Sequence, residues 1–110
     1  MALQIIINQA GPLPIQMTFQ APSDAPLVLV VSGSVWAASA NAAIGINIAL
    51  DGQSIGAAQI FSNGPTTHRA VVPAYLPAQL KQGSHTLSLT ALTGATQSDV
   101  NDFYTAIIEY

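Results

Sequence analysis

Apolar and polar positions alternate with period two along most of the chain. In Ala43–Asp51 the apolar phase is Ile44, Ile46, Ile48 and Leu50, and the opposite phase is Gly45, Asn47, Ala49 and Asp51. Successive side chains of a strand point to opposite faces, so this segment predicts a strand with one buried face. Asp51-Gly52 follows, a dipeptide that tolerates the positive φ angles of a tight hairpin turn, and the return strand is expected over Ser54–Phe61. Ser62-Asn63-Gly64-Pro65 is a second turn, with Pro65 ending the ladder.

The same alternation predicts strands at Ala2–Asn8, Ile15–Gln20, Leu27–Trp36, Thr66–Pro73, His85–Leu92 and Phe103–Tyr110. Turns between them are marked by Gly11-Pro12, by Pro22 and Pro26, by Lys81-Gln82-Gly83 and by Thr93-Gly94. Tyr75–Leu80 reads as a short helical turn or an irregular crossover. Val35–Ala43 is the segment nearest to a helix, but its alanines equally suit a tight loop or a closely packed strand. About eight short strands without a sustained apolar stripe of helical period predict an all-β chain: one domain over residues 1–110, an antiparallel β-sandwich of jelly-roll type.

Two strands depart from the one-face rule. Leu27-Val28-Leu29-Val30-Val31 is apolar on both phases. In the last strand Phe103 and Ile107 occupy one phase, and Tyr104, Ala106, Ile108 and Tyr110 the other. A strand apolar on both faces has something packed on each side, yet a two-sheet sandwich covers only one. With no long helix to supply the second cover, the expectation is a homo-oligomer, with a trimer favoured. Phe103, Tyr104, Ile108 and Tyr110 would lie at its interface.

Composition sharpens this picture. The chain has two basic and five acidic residues among 110, and charged residues make up 6% against roughly a quarter in ordinary soluble domains. Two basic side chains are too few to neutralise a nucleic-acid backbone, and they make anionic membranes poor partners. Half the residues are apolar, but no apolar run approaches the ~20 residues of a membrane-spanning helix. Met1 to Gln4 carries no basic start of a secretory signal, so neither membrane insertion nor a conventional secretory precursor is expected. Without cysteine there is no disulfide and no thiolate metal site. So few charges fit a chain that hides part of its surface between subunits.

Few side chains carry chemistry. Gly52-Gln53-Ser54-Ile55-Gly56 matches the pattern of a nucleophile elbow, but it sits at a hairpin and continues as a strand, where an elbow needs a strand-to-helix turn. His85 shares a phase with Leu87, Leu89 and Ala91, which predicts that it points inward or towards an interface; an inward histidine is usually a hydrogen-bonded structural residue, less often a ligand or base. His68 follows a turn and is expected at the surface or an interface. Asp99, Asn101 and Asp102 place three oxygen-bearing side chains within four positions. They are the candidate binding loop and, if any metal binds, the candidate calcium ligands. Asp and Asn also order loops simply by accepting bonds from nearby N–H groups. Trp36, with Tyr75, Tyr104 and Tyr110, is a candidate platform for stacking on a sugar ring; core or interface packing is the other reading of Trp36.

The runs Ile48–Gly56, His68–Pro73, Gln82-Gly-Ser-His-Thr-Leu-Ser-Leu89 and Asp99–Tyr104, with the apolar end at Tyr110, resemble small jelly-roll modules. These are of the trimeric tumour necrosis factor and complement globular-head type, as found in bacterial and phage surface or tail-fibre proteins. The resemblance covers about the last 65 residues. It implies a compact trimer used for structure, adhesion or recognition at an extracellular or virion-like surface. A second resemblance is to calcium-dependent bacterial lectins that bind fucose or mannose, which also place an Asp/Asn-rich loop before an apolar last strand. The further acidic ligands of those lectins are missing from this loop. The expected function is therefore a non-enzymatic, self-assembling structural or recognition module. The alternative is a carbohydrate-binding lectin using Asp99, Asn101, Asp102 and Trp36, with calcium as its candidate cofactor.

Overall fold

In the computed structural model, which describes residues 2–110, the alternating segments form ten strands and no helix occurs among the described residues. All pairings are antiparallel and fall into two facing sheets. In the first sheet β1 (Leu3–Ala10), β10 (Phe103–Glu109), β3 (Pro26–Ala37) and β7 (Ala74–Gln79) lie side by side. The short β6 (Arg69–Ala70) and β9 (Thr96–Gln97) pair with the far end of β3. The second sheet runs β2 (Ile15–Ala21), β8 (Gly83–Ala91), β4 (Ala42–Leu50), β5 (Gln53–Ser62). This is the expected all-β sandwich of jelly-roll type, with ten strands in place of eight.

The core is what the alternation specified. Ile44, Ile46, Ile48, Leu87 and Leu89 face inward from the second sheet, and Leu27, Leu29, Val31, Val35, Ala106 and Ile108 from the first. A bulge between Ile5 and Ile7 in β1 shifts the register against β10. It turns Ile7 inward after Ile5 has pointed out, so three successive isoleucines serve two faces. Asp51 and Gly52 both adopt positive φ at the β4–β5 hairpin, 51° and 84°, as the dipeptide predicted. Gly33 on β3 sits opposite Tyr104, and a Cβ there would collide with the Tyr104 ring. The missing side chain makes room for the largest residue of the core.

Two segments differ from the sequence reading. Tyr75–Leu80 is neither a helical turn nor an irregular crossover, since β7 covers most of it. Its alternation of Ala74, Leu76 and Ala78 with Tyr75, Pro77 and Gln79 is short, and Pro77 disguises it. A proline is tolerated because β7 pairs on one side only, with β3, so its missing N–H interrupts no ladder. The strand expected over Thr66–Pro73 shrinks to Arg69–Ala70. Thr66 takes a positive φ, and beyond Ala70 the backbone N–H groups of Val71 and Val72 bond to Gly33 on β3 and Gln59 on β5 in turn.

The expected four-residue interface divides. Tyr104 and Ile108 are fully buried in the chain's own core, whereas Phe103 and Tyr110 stand exposed. The inward phase of β10 is therefore consumed by folding. The outward phase, with Tyr110 just beyond the strand end, remains to meet a partner.

His85 is the hydrogen-bonded structural residue expected of it. Its Nδ1 lies 2.6 Å from Asp51 Oδ2 and its Nε2 2.6 Å from the Lys81 carbonyl, while Asp51 Oδ1 accepts the Thr86 N–H at 2.8 Å. Both ring nitrogens face acceptors, and only the imidazolium can donate to both. The bond to Asp51, then that to Lys81, raises the His85 pKa; the bond from His85, then that from Thr86, lowers the Asp51 pKa. The raised histidine contributes stability below its unfolded pKa of about 6.5 that is lost as pH rises through the folded value. The lowered aspartate contributes stability above about 3.8 that is lost as pH falls through its folded value. The melting temperature should therefore be highest between about pH 4 and 6.5 and fall toward pH 9. His85→Gln should melt lower at pH 6 and lose less on going to pH 9. A variant with an unchanged pH profile would contradict the clamp.

Candidate functional site

The far end of β3 organises the polar groups. Ser34 and Trp36 share the outward phase of that strand. β6 pairs there through Val35 and Arg69, placing His68 beside it, and β9 pairs through Trp36 and Gln97, leading directly into the Ser98–Asp102 loop. Two segments thirty residues apart in sequence are thus brought against the same few residues of one strand.

Asp102 is the anchor. It is 0% exposed, and both of its carboxylate oxygens accept hydrogen bonds. Oδ1 accepts the Ser34 hydroxyl at 2.7 Å and the His68 Nδ1–H at 2.7 Å, while Oδ2 accepts the Asp99 N–H at 2.9 Å. The loop closes further through the Asp102 N–H to the Asp99 carbonyl and the Gly11 N–H to the Asp102 carbonyl. Asp99 Oδ1 accepts the Asn101 N–H at 2.8 Å. A buried carboxylate is tolerable only when hydrogen bonds compensate its lost hydration, and three do so here.

With Asp102 holding Nδ1, His68 turns Nε2 outward, 3.8 Å from Asp99 Oδ2; the side chains are 38% and 42% exposed. The bond to Asp102 raises the His68 pKa, with the Asp102 and Asp99 charges acting in the same direction. The Trp36 ring lies 6.0 Å from the imidazole at a tilt of 41°. A ring nitrogen and a carboxylate oxygen thus stand side by side at the rim, with the partly buried Trp36 indole next to the imidazole. Two buried groups are left without partners, the Trp36 Nε1–H and the Tyr104 hydroxyl. Burial pushes the Tyr104 phenol up to about 12, and the nearby Ser98 hydroxyl offsets this only in part. On the other flank of the loop, Ser98, Gln97, Thr96, Thr90, Leu13 and Pro14 line a shallow groove of about 440 Å³.

Of the residues expected to form the site, Asp99, Asp102 and Trp36 are brought together. Asn101 is not: it is exposed, and its contact with Asp99 is through its backbone N–H. Beside Asp99 and Asp102 stands instead His68, for which the sequence predicts a position at the surface or an interface. His68 and Asp102 are 34 positions apart, and no local periodicity connects them. The scarcity of charge was the one available signal. Tyr104 is core, and Tyr75 and Tyr110 lie toward the opposite end of the first sheet. Ser54 of the elbow-like motif donates to Asn47 Oδ1 at 2.8 Å within the β4–β5 hairpin.

One ligand atom from each of His68, Asp99 and Asp102 lies within 4.8 Å of the others, a grouping able to hold one cation. The donor set does not fit calcium. Calcium takes six to eight oxygens, whereas this group offers an imidazole nitrogen, one partly exposed carboxylate and one buried carboxylate that already accepts three hydrogen bonds.

No family model and no curated protein matches the chain. Solved structures do. A β-glucosidase from Paenibacillus barengoltzii aligns with a TM-score of 0.61 at 13% identity, over 98% of this chain and 10% of that one. The EclA C-terminal domain, described as a sugar-binding protein, aligns at 0.54 and 15% identity, over 98% and 77%. A family 35 carbohydrate-binding module from Clostridium thermocellum aligns at 0.49 and 13%, over 96% and 90%. The chain thus spans about a tenth of the length of the β-glucosidase. At these identities the likeness establishes the fold, and the jelly-roll sandwich implied by the sequence resemblance is the part that is met.

The anchor role of Asp102 has a measurable consequence. Asp102→Asn replaces one acceptor oxygen by a donor and leaves a buried hydrogen-bonding group unpaired, which should cost about 2–3 kcal/mol of unfolding free energy in urea titration. Asp99→Asn, at the partly exposed end of the same loop, should cost less than about 1 kcal/mol. Equal losses for the two would contradict the assignment.

Proposed function

We propose that this chain is a non-catalytic carbohydrate-recognition module that binds sugar at the rim formed by His68, Asp99 and Trp36. The observation that carries this reading is the juxtaposition of the outward His68 Nε2 and Asp99 Oδ2, 3.8 Å apart, with the Trp36 indole beside them. Neighbouring hydroxyls of a pyranose each donate and accept, so a carboxylate and an imidazole side by side match them. An indole face takes the apolar C–H face of the ring. Asp102 and Ser34 hold the imidazole in place before any ligand arrives, which lowers the ordering cost of binding. The jelly-roll fold shared with a sugar-binding domain supports the reading, although the rim is what specifies it.

Binding in this account runs through the side chains directly and does not require calcium. The structural or adhesive reading retains one specific support of its own, the outward face of the first sheet.

Glycan-array screening followed by titration calorimetry tests the proposal. The wild-type chain should bind at least one sugar class, with binding unchanged by a chelator. Asp99→Ala and Trp36→Ala should each weaken it by tenfold or more while the circular dichroism spectrum is retained. Absence of binding to any glycan, or binding indifferent to both substitutions, would overturn the reading; loss on chelation would restore a metal to the site.

A further inference from the structure

The outward face of the first sheet lies clear of the rim. Its strand register sets Ile5, Ile107, Val30 and Tyr75 in one row across β1, β10, β3 and β7. The adjacent row contains Leu3, Glu109 and Val28 in the same order. Glu109 is thus the one charge among seven side chains. Leu3, Ile5 and Tyr75 are 58%, 61% and 66% exposed, and Tyr110 beside them is 43% exposed. With large side chains of roughly 150–250 Å² each, these four alone leave on the order of 400 Å² in water, as large as the main patch of a typical monomer. Val28, Val30 and Ile107, half-buried, continue the face toward the ~800 Å² per partner that a standard interface takes.

Shape selects the occupant. Leu3 and Ile5 project from the β1 edge. Toward the opposite edge Val28, Tyr75, Glu109 and Tyr110 line a groove of about 510 Å³. Knobs and groove thus lie at the two sides of one face. We propose that this face packs against the same face of a second copy of the chain, about a two-fold axis running along the strands between β10 and β3. That rotation lays β1 of each copy over β7 of the other, so Ile5 meets Tyr75 and Leu3 meets the groove. It lays β10 over β3, which sets Glu109 against Val28 near the tyrosine hydroxyls and keeps the two Glu109 carboxylates apart. An isologous pairing of this kind needs no complementary charge, and the chain has few charges to offer.

Sedimentation velocity and light scattering on the intact chain at micromolar concentration test the pairing. Twice the chain mass of 11.3 kDa is expected. Ile5→Lys and Tyr75→Lys alter exposed side chains, so each should leave the circular dichroism spectrum unchanged and give a monomer. Gln16→Lys, exposed on the other sheet, should remain a dimer. A wild-type monomer, an assembly of any other size, or a dimer that survives both substitutions overturns the pairing. Sugar binding does not enter the readout, so the result stands apart from the function proposed above.

Discussion

Twelve residues of β3 must find hydrogen-bonding partners along their whole length, and this requirement organises the molecule. No single strand meets it. β10 and β7 pair with the near part, through Val28–Gly33 and Pro26–Val31, while β6 and β9 take Ser34–Val35 and Trp36–Ala37. The near part supplies Leu27, Leu29 and Val31 to the core. The far part has only two-residue partners, and each carries in a piece of loop: His68 before β6, and Ser98–Asp102 after β9. The polar rim therefore forms where the regular sheet ends and loops complete the backbone pairing, as expected for binding residues held on a rigid scaffold.

Asp102 converts that meeting point into a fixed geometry. Its buried carboxylate joins three segments: Ser34 from β3, His68 before β6, and its own loop through Asp99. Because the ion is surrounded by donors, the groups around it have little freedom, and the imidazole presents one defined nitrogen to solvent. The outward phase of β3 runs from Val28 and Val30 through Ser32 and Ser34 to Trp36. At about 3.3 Å per residue, Val30 and Trp36 are about 20 Å apart. Apolar contact and polar recognition thus occupy opposite ends of the same face, and pairing at one end leaves the other free.

Much of this was legible in the sequence. Period-two alternation predicted the strands and the core isoleucines, and Asp51-Gly52 predicted its hairpin, because those properties are local. The doubly apolar strands correctly signalled a face beyond the core, but not which phase faces which way. Tyr104 and Ile108 belong to the core because their phase of β10 faces the second sheet, and that depends on pairing with β3, far away in sequence. Asp99, Asp102 and Trp36 could be singled out by rarity or residue type. His68 could not, because its partner is 34 positions distant; spacing alone likewise does not say that the link between Asn101 and Asp99 runs through the backbone. β7 was missed because Pro77 masks a strand that only an edge can hold.

The account turns on whether the rim of Trp36, His68 and Asp99 is where ligand meets the chain. Amide and indole NMR spectra recorded while the wild-type protein is titrated with a panel of monosaccharides address this directly. The account predicts shifts concentrated at the Trp36 indole, the His68 ring and the Asp99 backbone, with the outward rows of β1 and β7 unmoved. No shift with any sugar, or shifts confined to the groove between Leu13 and Thr90 or to another surface, would contradict it.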